Sequence, residues 1–180
     1  MKKTIVILTA MMMLLMPAAA LAESADTSPT PAPATATPAP SARPKATLTP
    51  EQKALREEIA KDRETLKTLR AQAEALSQEN KTLGQQVKTA LQAVKDGTKT
   101  VTSPERLEEL LQTLKQLRES INATDGQVRQ NLQAAHASRL ARDFTAASAS
   151  VDQAISVLQS RIALKQQVNA ALKELVTLFQ

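Results

Sequence analysis

Between Leu55 and Val94 an apolar stripe advances by alternating steps of four and three residues. It restricts the possible fold more than any other feature of the chain. Leu55, Ile59, Leu66, Leu69, Ala73, Leu76, Leu83, Val87, Ala90 and Val94 carry it, with Asp62 and Asn80 as polar interruptions. This spacing defines a heptad seam of about six repeats on one helix. A straight helix from residue 50 to 94 is roughly 65 Å long. A helix of that length is stable in water only when its apolar face packs along a comparable length of other helix.

The seam starts and stops at recognisable points. Thr49 can cap, Pro50 fits the first helical position, and Gln52 completes a Thr-x-x-Gln capping box. Gly97, within the run from Lys95 to Pro104, suits the left-handed end of a helix, and Ser103-Pro104 suits the start of the next. Leu107, Leu110, Leu111, Leu114, Leu117 and Ile121 then share one face. Thr124 and Gln127 flank Gly126 and could form a second capping box. The apolar phase nevertheless continues through Val128, Leu132 and Ala135, so the pattern predicts one helix across the glycine, weakened by about 1 kcal/mol relative to alanine. The next boundary has two candidate starts, Asp143 and Ser150 with Gln153; the turn is placed near Arg142-Asp143, and Val151, Ile155, Leu158, Ile162, Lys165, Asn169, Leu172, Val176 and Phe179 follow at heptad steps.

The expected fold class is all-α. Helices of about 50–94, 104–141 and 143–179 form a long-helix antiparallel three-helix bundle or coiled coil, residues 50–180 in all. A single helix from Pro104 onward, giving an elongated rod, is the alternative. Self-association competes with packing inside the chain. Arg56, Arg63 and Arg70 fall at e positions and Glu58 and Glu79 at g, and Asn80 at an a position is a known specifier of register in parallel dimers.

Upstream of the helices the chain changes character twice. Lys2-Lys3, the apolar run from Ile5 to Met16, Pro17 and Ala20-Leu21-Ala22 have the layout of a signal peptide, residues 1–22, with cleavage after Ala22. An uncleaved membrane anchor is the competing reading, and no stable membrane span is expected after cleavage. Residues 23–49 form a linker rich in Pro, Ala and Thr. The stretch from Glu23 to Pro50 holds seven of the nine prolines, and such composition is expected to stay extended and disordered. In polyproline II form it reaches on the order of 80 Å.

The composition bears on chemistry as well. Loss of Lys2 and Lys3 lowers the formal charge from +5 to +3, and cysteine is absent, so neither a thiolate nucleophile nor a Cys-type zinc site exists. His136 is the one histidine. It has no carboxylate three or four residues away to make a metal or catalytic group. Glu57-Glu58 and Glu108-Glu109 are adjacent pairs whose side chains diverge on a helix, and Gly84, Gly97 and Gly126 are isolated, so no phosphate loop is present. Nucleic-acid binding is not expected: acidic and basic residues alternate, and Phe144 and Phe179 are the sole aromatics. No catalytic, cofactor-binding or metal site is expected.

Leu48-Thr49-Pro50-Glu51-Gln52 resembles the LTxxQ signature of the Spy-type periplasmic stress chaperones. The similarity covers these five residues, without the second copy that those proteins carry. It implies an exported, all-helical, ATP-independent chaperone or stress protein. The residues by themselves point to an exported, non-enzymatic helical module of the bacterial cell envelope or exterior, acting as an interaction or scaffold protein. Its partner would be a protein, or a second copy of the chain, bound through helical faces. Mass spectrometry of the exported chain is expected to find Glu23 as its first residue; an intact chain confined to the cytoplasm would refute the signal-peptide reading.

Overall fold

The computed structural model describes residues 48–180, and the expected signal peptide and most of the expected linker lie outside the described residues. Four helical segments follow in order: α1 (Pro50–Lys95), α2 (Pro104–Ala123), α3 (Gln127–Leu140) and α4 (Phe144–Thr177). Among the described residues the single β feature is an isolated antiparallel bridge between Val101 and Phe179. The described chain is all-α.

Local chemistry sets most of the boundaries. At the start of α1, the Gln52 N–H donates to Thr49 Oγ1 at 3.2 Å and the Thr49 N–H donates to Gln52 Oε1 at 3.1 Å, which completes the capping box. At its end Gly97 takes φ 72°. There the Thr98 N–H reaches the Ala93 carbonyl at 2.9 Å and the Gly97 N–H the Val94 carbonyl at 3.2 Å, the paired bonds of a Schellman ending. Ser103 caps α2 through the Arg106 N–H, and Asp143 caps α4 through the Ala146 N–H.

The legs run up, down and up. Val87 and Leu91 near the end of α1 share a core cluster with Leu172 and Leu175 near the end of α4 and with Leu107 and Leu110 at the start of α2. Ile59 and Leu66 near the start of α1 share the other cluster with Val151 and Leu158 of α4 and Ala135 of α3. Helices α1 and α4 are therefore parallel, and α2 followed by α3 runs back between their ends. Helix α4 is the common support. It packs against each of the other three, whereas no Cα of α1 comes within 8 Å of one in α2 or α3. Val87 and Leu175 are fully buried, and burial of such a side chain is worth about 1.5–3 kcal/mol.

Two expectations need correction. The helix expected over 104–141 is interrupted at 124–126, where Gly126 adopts φ 78°. The break is held from outside: Arg161 on α4 donates through Nη1 to the Thr124 carbonyl and to Asp125 Oδ1, both at 3.3 Å. Thr124 also donates its hydroxyl to the Ile121 carbonyl at 2.7 Å. No side-chain cap forms at the start of α3, and Gln127 instead donates back to the Ala123 carbonyl. The last helix, expected to reach 179, stops at Thr177. The chain then pairs with the α1–α2 loop: the Thr100 and Gln180 amides exchange bonds at 2.8 and 3.1 Å, and the Thr102 N–H donates to the Leu178 carbonyl at 2.9 Å. These backbone bonds turn Phe179 into the core, where it is 6% exposed.

The α3–α4 turn rules out a single helix from Pro104 onward. Arg142 has φ 62°, the one non-glycine residue with positive φ among those described. Its turn repeats the paired ending of α1, with the Asp143 N–H on the Ser138 carbonyl at 2.9 Å. A side chain is strained in that conformation, and glycine is not. Arg142→Gly is expected to raise stability by about 0.5–1 kcal/mol, net of the unfolded-state entropy of glycine. Urea unfolding followed by circular dichroism measures this, and a lowered midpoint would refute it.

Candidate interaction surface

Three of the polar residues that interrupt the apolar seams meet across the α1–α4 contact. Asn169 Nδ2 donates to Asn80 Oδ1 at 2.9 Å, and Asn80 Nδ2 donates to the Lys165 carbonyl at 3.0 Å. One turn away, Lys165 Nζ donates to Ser77 Oγ at 2.6 Å and to the Ala73 carbonyl at 3.1 Å. Burial holds the Lys165 ammonium below the ordinary lysine value, and the nearby Arg161 charge adds to the effect. Lys173 flanks this cluster, reaching Glu79 at 2.8 Å. Its hydrogen bond, followed by that of Asn169, holds the Glu79 carboxyl below the usual range. At the far end of α4, Arg106 of α2 grips Glu174 through Nε at 2.6 Å and Nη2 at 3.1 Å. That pair is about half exposed, so it sets geometry more than it adds stability.

Asp62, the fourth interruption, stands apart. The residue is only partly buried, but its Oδ2 is sealed from solvent and has no hydrogen-bond partner. Burial raises its carboxyl above the usual value, and the charge of Asp152 on α4 raises it further. A carboxylate held against apolar surface beside a like charge costs stability when ionised.

Between α1 and α3 lies a groove of about 430 Å³. Ile59 and Leu66 of α1, Leu132 and Ala135 of α3 and Val151 of α4 form its apolar lining. Arg63, Lys67 and Arg70 stand on the α1 wall, and His136 and Arg139 on the α3 wall. No carboxylate lines it. Ile59, Leu66, Ala135 and Val151 are buried and Leu132 is partly so, while Arg63, Lys67, Arg70 and His136 are exposed at the rim. Such a surface can accept an anionic partner whose apolar side settles between the basic walls.

The other residues singled out in the sequence are dispersed. Glu57, Glu58, Glu108 and Glu109 are exposed. Arg106 engages Glu109 at 2.7 Å. Thr49 and Gln52 are occupied by the capping box, and Leu48 packs against the Ile59–Val151 cluster. Among the described residues no group of three or more His, Asp or Glu side chains is placed to hold a metal ion. No described helix is long and apolar enough to cross a membrane. Sequence reasoning missed the groove, although one signal was available: no Asp or Glu occurs between Asp125 and Asp143, while Arg129, His136 and Arg139 do. No family model matches the chain, and no curated protein and no solved structure matches it.

Asp62 yields a pH dependence of definite sign. Its folded-state value is raised, so the folded chain keeps a proton in a window above the ordinary aspartate value where the unfolded chain has lost it. Its contribution to stability therefore falls as pH rises through that window and stays at the lower level at neutral pH. Asp62→Asn is expected to be more stable than wild type at pH 7, with the difference shrinking toward pH 4 and vanishing below the unfolded value. Thermal unfolding across this range tests it; a variant less stable at pH 7 would refute it.

Proposed function

We propose that the chain is an exported, non-enzymatic interaction or scaffold protein of the bacterial cell envelope or exterior, which binds a protein partner through the groove between α1 and α3. The observation that carries this reading is the groove itself, an apolar floor between two basic walls on helices that do not close on each other. The sequence supplies the remainder: an export signal, a Pro/Ala/Thr spacer that would extend the domain from its attachment point, and His136 without the neighbours that acid–base or metal chemistry requires. The long-helix bundle suits this role. Its α1 and α4 pack together at both ends, and the leg formed by α2 and α3 runs antiparallel to both, which leaves long helical faces for a partner.

In-cell photocrosslinking tests the proposal. A photoreactive residue replacing Lys67 or His136 is expected to trap one or a few defined envelope proteins, while the same residue at Lys88 or Lys115 traps none of them. An adduct of twice the chain mass would identify the partner as a second copy. A broad, unselective set of adducts would favour the stress-chaperone resemblance of Leu48–Gln52 instead. Absence of any adduct at the groove positions would refute the proposal.

A further inference from the structure

We infer that the groove between α1 and α3 receives an acidic amphipathic helix of the partner protein, laid along it as a fourth helix. This deepens the interaction-module reading and rests on it. Both α1 and α3 pack on α4, yet no Cα of α1 comes within 8 Å of one in α3. Their buried side chains meet only at the floor, in the cluster of Ile59, Leu66 and Ala135, and a fourth helix laid in the opening above it would complete a four-helix arrangement. Along α1 the groove runs from Ile59 to Arg70, about 16 Å, or three turns of helix.

Charge selects the occupant. Arg63, Lys67 and Arg70 are spaced i, i+4, i+7 on one wall, and His136 and Arg139 i, i+3 on the other, with no carboxylate in the lining. Glu64 lies 3.9 Å from Lys67, but both side chains are about four-fifths exposed, so water screens the pair. The basic groups are distributed along the groove instead of gathering at one end. A single-headed anionic amphiphile concentrates its charge at one point, whereas a helix with carboxylates at i, i+4 and i+7 repeats the spacing of the wall. A single-stranded nucleic acid needs aromatic platforms for its bases. None lines the groove, and Phe144 and Phe179 are both buried.

The probe is a fluorescent synthetic helix with a leucine stripe flanked by glutamates at i, i+4 and i+7, titrated with the purified protein and read by anisotropy. Arg63→Gln with Arg139→Gln keeps much of each aliphatic stem over the floor and is expected to weaken binding about fivefold or more. Lys88→Gln with Lys115→Gln, which removes the same charge elsewhere, is expected to leave it unchanged. Each groove substitution alone gives an intermediate loss, and circular dichroism of every variant matches wild type. The inference is overturned if the peptide does not bind or if both double variants weaken it equally. Equal binding of a lysine-flanked peptide, or displacement by phosphatidylglycerol vesicles or oligothymidylate at matching concentration, also overturns it. Failure here, with a defined protein still crosslinked at Lys67 or His136, refutes the acidic helix and leaves the interaction module standing. Loss of both removes both.

Discussion

The hydrogen bond between Asn80 and Asn169 fixes the register on which the other contacts depend. Heptad seams built from Leu, Ile, Val and Ala slide past one another at little cost, because one apolar rung resembles the next. A polar rung is different. If α4 shifted by a turn, the partly buried Asn80 and Lys165 would lose their partners across the helix contact, each at a cost of up to about 1 kcal/mol. With the register held, Val87 meets the Leu172–Leu175 region, Ile59 meets the Val151 region, and Arg161 sits beside the α2–α3 turn. Asn80 was weighed as a register specifier in a parallel dimer of two chains; in the structure it bonds Asn169 of α4 in its own chain, and α4 runs parallel to α1 as a second copy would in such a dimer.

The division between what could be read in the sequence and what could not follows the range of each interaction. The start of α1 was legible because Thr49, Pro50 and Gln52 make their contacts with one another. Gly97, Ser103-Pro104 and Asp143 were legible for the same reason. The break at Gly126 was not. Ile121, Val128, Leu132 and Ala135 keep their apolar phase across it, and the groups that hold the turn open come from Arg161, 36 residues beyond Asp125. Phe179 was read as a helical seam residue. The Thr100 and Thr102 amides that draw its segment out of the helix lie in a loop almost eighty positions earlier.

The candidate surface shows the same division more sharply. Asp62, Asn80, Lys165 and Asn169 stood out as polar residues on apolar seams, but the sequence could not say that three of them would join while Asp62 would be left facing Asp152. Arg63 and Arg70 carried meaning only as charges flanking a seam. Their place in a basic wall depends on α3 standing off from α1, and that separation depends on how both helices rest on α4. Small buried residues there, Ala147, Ala154 and Ser148, let each neighbour approach the support closely. They provide little side-chain volume with which to fill the space between the neighbours.

The parallel pairing of the first and last helices has a consequence for how the molecule comes into being. Asn80 and Asn169 are 89 positions apart, and no Cα of α1 lies within 8 Å of one in α2 or α3. At ordinary elongation rates of about 5–20 residues per second, roughly 5–20 s separate the appearance of the two asparagines. Throughout that interval the α1 seam lacks α4, although Leu107 and Leu110 of α2, which belong to the same cluster as Val87 and Leu91, are made earlier. Pairing of α1 with α4 therefore waits until α4 has been made and has to close a long loop, a cost that pairing between neighbouring helices does not carry.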